Sequence, residues 1–349
     1  MKKNLRNILA LSLGLMTTVA FAQDWGVDSR TRIDMSDKMG ESYKATNQRV
    51  TLGATWGGSD WGIHLSTDVD YVLNGTDGAD ASMGVYEAYA STDLMGYATV
   101  TAGRQALNNG SGALMSSGDW GARTTWDGMT FALNLDMADI TVGHHTSNTG
   151  ADDSLTIGNM WINAGGEFSG WNVNVLYMTD ETTEDAATGI DISGEVMGAG
   201  ISVSMNTDYD GDDMRVIGLS YAVNDDLGVN VSQTVYSESE DGSDGFKMAG
   251  TNLAGGWANG NMGYLDAGDE MLSYGLSYNM AGVSLGATMH GITSVEDEVT
   301  GDATETDVME ISLSYSLNDN AGLSLNIASE TVADADADKY MWLTLNIGL

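Results

Sequence analysis

Apolar and polar residues alternate along this chain with a period of two. From Trp25 onward, Trp25, Val27, Ser29, Thr31 and Ile33 share one parity, while Asp24, Gly26, Asp28, Arg30, Arg32 and Asp34 share the other. A β-strand puts those two sets on opposite faces. Next, Val50, Leu52, Ala54 and Trp56 oppose Arg49, Thr51, Gly53 and Thr55, and Ile63, Leu65, Val69 and Tyr71 oppose His64, Ser66, Asp68 and Asp70. The same reading holds for Met129, Phe131, Leu133 and Leu135, for Trp171, Val173, Val175 and Tyr177, and for Leu272, Tyr274, Leu276 and Tyr278. It continues through Ile311, Leu313, Tyr315 and Leu317 to the final Met341, Leu343, Leu345, Ile347 and Leu349. The pattern predicts an all-β chain with one dry and one wet face.

Alternation suits a soluble sandwich as well as a membrane barrel, and three features select the barrel. The strands run to about nine to eleven residues, the length a tilted membrane-spanning strand needs. Short turns (Trp56 to Asp60, Asn279 to Gly282, Asn318 to Ala321) take turns with longer acidic loops (Asn74 to Asp80, Thr179 to Gly189, Ser237 to Gly245, Ser294 to Asp307, Thr331 to Lys339), an asymmetry typical of outer-membrane barrels. Trp25, Trp56, Trp61, Tyr71, Trp171, Tyr177, Tyr236, Tyr340 and Trp342 fall near strand ends, which predicts aromatic girdles at two interfaces. Marking every alternating run gives 16 to about 20 segments, with Gly189 to Asn206 and Met248 to Gly263 each readable as one strand or two. Because bacterial single-chain barrels have even strand counts, the expectation is a transmembrane antiparallel up-and-down β-barrel of 16 or 18 strands, wide enough for an aqueous lumen.

Residues 1–22 read differently. Lys2, Lys3 and Arg6 precede an apolar stretch from Ile8 to Val19 that ends in Ala20-Phe21-Ala22, the layout of a cleaved signal peptide. The organisation expected is thus a leader over 1–22 and a barrel over 23–349. No later run of about 18 apolar residues predicts a membrane helix.

Composition narrows the function. Without the leader the chain holds 10 Lys and Arg against 50 Asp and Glu. That sign excludes sequence-independent nucleic-acid binding and suits a saline habitat, a Ca²⁺-rich surface or a cation-attracting pore alike. The 9 Trp, 14 Tyr and regular aliphatic placement argue against disorder. There is no cysteine, hence no disulfide framework and no thiolate metal or redox site. There is no proline either, as befits a chain made mostly of hydrogen-bonded strands. No fixed-length repeat and no Gly-Gly-x-Gly-x-Asp array of a Ca²⁺-binding solenoid occurs.

Gly103-Arg104-Gln105, the Gly-rich sequence after it, Asp119-Trp120, Arg123-Thr124 and Asp127-Gly128 together resemble the motif of alginate-export-type outer-membrane porins. The final strand resembles the assembly signal of outer-membrane proteins, with Leu349 where an aromatic is usual. The first resemblance implies a monomeric channel narrowed by inward loops and lined with arginines that pass a polyanion. Ten basic residues among 50 carboxylates do not surround a polyanion favourably, so the architecture is carried over and the substrate is not.

Candidate chemistry concentrates in the first third. Arg30, Arg32 and Arg49 have inward parity beside Asp28, Asp34, Asp68 and Asp70, and with Arg104, Asp119 and Arg123 they are the candidate pore-lining or constriction set. Opposed charges of this kind orient water and set ion preference; paired charges that merely stabilise the wall are the plainer reading. Ala106 to Gly118, rich in Gly, Ser and Asn with Leu107, Leu114 and Met115, is the candidate for a loop folded into the lumen, with a plain external loop as the equal alternative. Asp208, Asp210 and Asp212 (and likewise Asp334, Asp336 and Asp338) recur at every second position, a spacing that can gather oxygens around surface Ca²⁺; neither run completes a Ca²⁺ loop, and solvated acidic loops are the plainer reading. Of the histidines, His64 and His145 have inward parity, but no metal-ligand spacing accompanies them, and no Gly-x-Ser-x-Gly elbow marks a hydrolase. Inward positions are mostly Ser, Thr, Asn, Gly and Asp. The expectation is a non-enzymatic, cofactor-free, cation-preferring diffusion channel for small hydrophilic solutes, set in outer-membrane lipid and lipopolysaccharide as a monomer or homotrimer. The alternative is a plugged barrel serving as adhesin or anchor.

Overall fold

A computed structural model describes residues 23–38, 41–42, 44–73, 81–117, 125–133, 135, 138–148, 156–181, 183–238, 245–246, 265–295, 303–333 and 335–348. The leader over 1–22, Asp119, Arg123 and the stretch from Met248 to Gly263 lie outside them.

The described chain is strand throughout its regular structure. In order the strands are β1 (Gln23–Asp34), β2 (Asp37–Lys38), β3 (Glu41–Ser42), β4 (Ala45–Gly57), β5 (Trp61–Val72), β6 (Ser82–Asp93), β7 (Ala98–Gln105), β8 (Trp126–Leu133), β9 (Asp139–Asn148) and β10 (Thr156–Phe168). They continue with β11 (Trp171–Asp180), β12 (Ala186–Val196), β13 (Ala199–Thr207), β14 (Asp213–Ala222), β15 (Leu227–Tyr236), β16 (Glu270–Met280), β17 (Val283–Thr293), β18 (Glu305–Asn318), β19 (Ala321–Val332) and β20 (Asp338–Gly348). The two-residue β2 and β3 form a small hairpin above the wall, where Asp37 pairs with Lys339 of β20. The other 18 strands pair antiparallel with their chain neighbours, and β1 closes the cylinder against β20, with Asp28 opposite Gly348 and Asp34 opposite Trp342. Closure removes both sheet edges, so every wall strand finds ladder partners on both sides.

The connections sort into two ends. At one end Ser169-Gly170, Met197-Gly198 and Ala281-Gly282 join strands with both residues at positive φ, the conformation that tight two-residue hairpins favour and glycine makes accessible. The second of these turns divides Gly189 to Asn206 into two strands, β12 and β13. The longer loops all leave the opposite end. One extra residue, Tyr86, bulges β6 where Ser66 and Thr67 of β5 oppose Glu87 and Val85.

Directly opposed residues of antiparallel neighbours share a face, so the register assigns every wall side chain. Val27, Leu52, Ile162, Val175, Leu219 and Leu276 lie on the outer face, and a belt of exposed apolar side chains encircles the barrel. Surface of that extent is unfavourable in water and matches hydrocarbon. Trp25, Trp56, Trp61, Phe168, Trp171 and Tyr221 stand on the same face near the short-turn end, as a girdle requires. Three of the aromatics expected in girdles do otherwise. Tyr236, Tyr340 and Trp342 share a parity with Thr234 and Thr344, point inward and are buried. Nearness to a strand end does not say which face a ring takes; parity does.

Candidate functional site: the lumen and its constricting loop

Segment 106–117 leaves the end of β7 and turns into the barrel. Its Ala113, Leu114 and Met115 are 1%, 3% and 0% exposed and pack on Leu176, Met178, Ala187, Met214 and Met271, inward residues of β11, β12, β14 and β16. Phe246 and Leu265, from the connection between β15 and β16, join the same cluster. In the long-loop half of the lumen an apolar cluster is thus set against one side of the wall, rich in methionines whose flexible thioethers fit irregular gaps.

The segment is internally braced. The Leu107 amide donates to Ser117 Oγ at 3.1 Å, Asn108 Oδ1 accepts from the Ser117 amide at 2.8 Å, and the Asn109 amide donates to the Met115 carbonyl at 3.1 Å. At its root the Ala106 amide donates to Glu87 Oε1 at 3.1 Å. At its tip the Ser111 amide donates to Asp191 Oδ2 at 2.9 Å, while Ser204 Oγ donates to Asp191 Oδ1 at 2.5 Å and lies 3.1 Å from Ser111 Oγ. Asp191 is the sixth of the 11 residues of β12, so the tip reaches mid-height. Gly110 has φ +58°, and a Cβ there would sit 2.0 Å from Asp191 Oδ2; only glycine lets the tip approach so closely.

Below the tip lies a cavity of about 960 Å³, lined by hydroxyls and amides such as Asn163, Asn174, Ser202 and Ser232 and by the carboxylates Asp139, Glu167 and Asp191; among the described residues no arginine or lysine lines it. The imidazole of His290 borders it. Ser273 Oγ lies 2.7 Å from His290 Nδ1, but Glu310 Oε2 is 3.8 Å from Nε2, beyond a hydrogen bond, so the link that would orient an activated nucleophile is not made.

The expected charged set occupies a different sector. Asp28, Arg30, Arg32 and Asp34 on β1, Arg49 on β4, and Asp68 and Asp70 on β5 all face inward, as their parity predicts. Arg49 Nε donates to Asp70 Oδ1 at 2.7 Å and lies 3.6 Å from Asp68 Oδ2, and Thr51 Oγ1 donates to Asp68 Oδ1 at 2.7 Å. The Arg32 guanidinium stacks 3.7 Å over the Trp342 ring. A smaller recess of about 550 Å³ is lined by Arg30 and Arg32 with Asn326, Thr344 and Asn346. Farther round, His64 contacts Thr55 through Nδ1 at 2.8 Å and Glu87 through Nε2 at 3.6 Å, which ties the root of the inward segment to the charged wall.

Arg104 corrects the expectation. It pairs with Ala88 and Asp127, and its parity is that of Val100 and Ala102, so it lies on the outer face near the long-loop end. Two parallel bonds of 2.8 Å to Asp127, from Nε and Nη2, neutralise it there. The Ca²⁺ expectation for Asp208, Asp210 and Asp212 also meets a different arrangement. The Asp208 carboxylate accepts the amides of Asp210 and Asp212 at 3.0 Å each, and Asp208 itself is 1% exposed. It braces its own turn, and among the described residues no three His, Asp or Glu are grouped to hold a metal. Tyr209 of this turn donates to Asn159 Oδ1 at 2.9 Å; burial first, then the negative charge of Asp180, push its phenol well above the usual range. In the connection after β15, burial likewise raises the Asp269 carboxyl.

Sequence reasoning did not single out Asp191, Ser204, Asp139 or Glu167. Their inward parity was a usable signal, but which of many inward residues meets the loop depends on closure of the barrel, across 80 positions for Ser111 and Asp191.

No family model matches the chain, and no curated protein matches it, so the alginate-export resemblance gains no support. Solved structures do match. The chain is similar to the outer membrane protein OpdK of Pseudomonas aeruginosa, also solved with vanillate, at 12% identity and a TM-score of 0.73, over 94% of this chain and 98% of that one. It is similar to OccD3 of the same organism at 11% identity and a TM-score of 0.69, over 95% of this chain and 92% of that one. OccAB4 of Acinetobacter baumannii matches at 10% identity and a TM-score of 0.68, over 94% and 98%. At these identities the likeness is one of fold, and the fold is that of the 18-stranded outer-membrane barrel.

Proposed function

We propose that this protein is an outer-membrane porin: a passive, cation-preferring diffusion channel for small hydrophilic solutes, with the long loops outside the cell and the short turns in the periplasm. The apolar outer belt and aromatic girdle support the membrane setting, and the match to OpdK supports the barrel type. The observation that carries the preference is the lining of the large cavity, where Asp139, Glu167 and Asp191 stand among hydroxyls and amides, with no arginine or lysine among the described lining residues. Such a lining raises the local concentration of cations and lowers that of anions. An anion such as vanillate, present in an OpdK structure, would face three carboxylates in this cavity.

The apolar packing of Ala113, Leu114, Met115, Phe246 and Leu265 favours a second reading, a barrel plugged for use as an adhesin or anchor. Planar-bilayer recording of residues 23–349 separates the two. Stepwise openings whose reversal potential in a KCl gradient lies toward the potassium equilibrium value are expected. Reversal toward the chloride value would overturn the preference, and a barrel that inserts without conducting would establish the plug.

A further inference from the structure

We infer that Asp191 is the positioning residue of the constriction: its carboxylate holds the tip of segment 106–117 across the lumen and thereby sets the size limit of the channel. The inference rests on the channel reading for its consequence, but its geometry stands independently. β12 presents two inward features two residues apart, and both fit the segment. Gly189 leaves a notch for Leu114, since a Cβ there would come within 3.1 Å of Leu114 Cδ1. Asp191 then receives the Ser111 amide on one oxygen and Ser204 Oγ on the other. Asn206 Nδ2 donates to Ser204 Oγ at 2.8 Å and fixes that hydroxyl in turn.

The tip donates a main-chain amide, so the bond depends on the approach of the backbone and not on the identity of residue 111. Gly110 at positive φ is what permits that approach. At the root, by contrast, the segment is tied covalently to β7 and by the Ala106 amide to Glu87. Besides the apolar seating of Ala113, Leu114 and Met115, the bond to Asp191 is the polar tie that holds the tip. A bond to an ionised acceptor is stronger than a neutral one, so Asp191 is where a single substitution should free the segment without disturbing the wall.

The chain has no cysteine, which makes a single introduced thiol an unambiguous reporter. Ala113 is buried between the segment and the wall, so a thiol at A113C should react slowly with a charged maleimide in the detergent-folded barrel. Adding D191A should accelerate labelling about tenfold, from the loss of one charge-assisted hydrogen bond. D191N retains one neutral oxygen for the Ser111 amide and should label at a rate between the parent and D191A, while its reversal potential moves toward zero. In bilayers D191A should show larger and noisier openings than D191N, and a disulfide between S111C and S204C should return D191A to the parent conductance until a reductant is added. Mobility shift on heating confirms that each variant is a folded barrel. Unchanged labelling in D191A overturns the inference, as does an equal effect of D191A and D191N on selectivity alone, which would make Asp191 only a lining charge. Accelerated labelling in a barrel that never conducts upholds the positioning role and removes the channel reading.

Discussion

Replacing Leu114 with Asp should convert the channel to its wide form. Leu114 is 3% exposed within a cluster of Leu176, Met178, Ala187 and Met214, so truncation alone forfeits about 2–5 kcal/mol of seating. The new carboxylate has no cationic partner among those side chains and adds a desolvation cost, unless the segment leaves the wall. At about 1.4 kcal/mol per factor of ten, even the lower bound raises the released population roughly 30-fold. Single-channel conductance should therefore approach that of a variant in which residues 108–116 are replaced by a short glycine linker. The barrel itself should persist, because the 18-strand ladder does not include the segment. An unchanged conductance in a folded L114D barrel would show that the segment does not limit the passage.

Parity made most of the wall legible. Each inward residue named from alternation on β1, β4 and β5 faces inward, because a period of exactly two leaves no freedom once one face is assigned. The inward turn of segment 106–117 was legible too, as polar and small residues broken by Leu114 and Met115 make a loop with something to bury. Arg104 was misplaced because it was grouped by charge with the other arginines, although Val100 and Ala102 give its parity as outward. Tyr236, Tyr340 and Trp342 were misplaced because an aromatic at a strand end suits an interface or a plug equally, and parity decides between them. The partner of the loop tip was not legible. Asp191 differs from other inward acids only in lying on the strand that closure brings opposite the loop.

The assignment of charge to one sector also explains why few basic residues suffice. Arg30, Arg32 and Arg49 are adjacent on β1 and β4, where they meet Asp28, Asp34, Asp68 and Asp70, and the cavity beneath the loop is left to Asp139, Glu167 and Asp191. In the proposed channel a solute would pass between a mixed-charge wall and an acidic, hydroxyl-rich one. The two walls act at different ranges. Paired charges largely cancel beyond a few ångströms, whereas carboxylates with no basic neighbour among the described residues project a field across the lumen, so the acidic wall should dominate selectivity.

The mixed wall should instead dominate stability, and Arg49→Gln tests that. The Arg49 and Asp68 side chains are each 11% exposed, and the guanidinium serves both Asp68 and Asp70. Removing the cation leaves two inward carboxylates on neighbouring positions of one face without their shared counter-charge; because the hydrogen-bonded Asp70 is 40% exposed, the cost falls below the about 3–5 kcal/mol of a fully buried pair. Urea unfolding followed by tryptophan fluorescence in detergent should show that loss as a lower midpoint with an unchanged slope. Combining Arg49→Gln with Asp68→Asn and Asp70→Asn should recover most of it, since neutral amides can bond to one another and to Thr51 without a cation. If the triple variant were as unstable as the single one, packing of the arginine stem and not charge would be the cause. The same single variant should conduct with a stronger cation preference than the parent, because it subtracts one of the three arginines that face inward among the described residues. A barrel that lost stability but kept its reversal potential would show that this sector is structural alone and that ions are sorted entirely on the opposite wall.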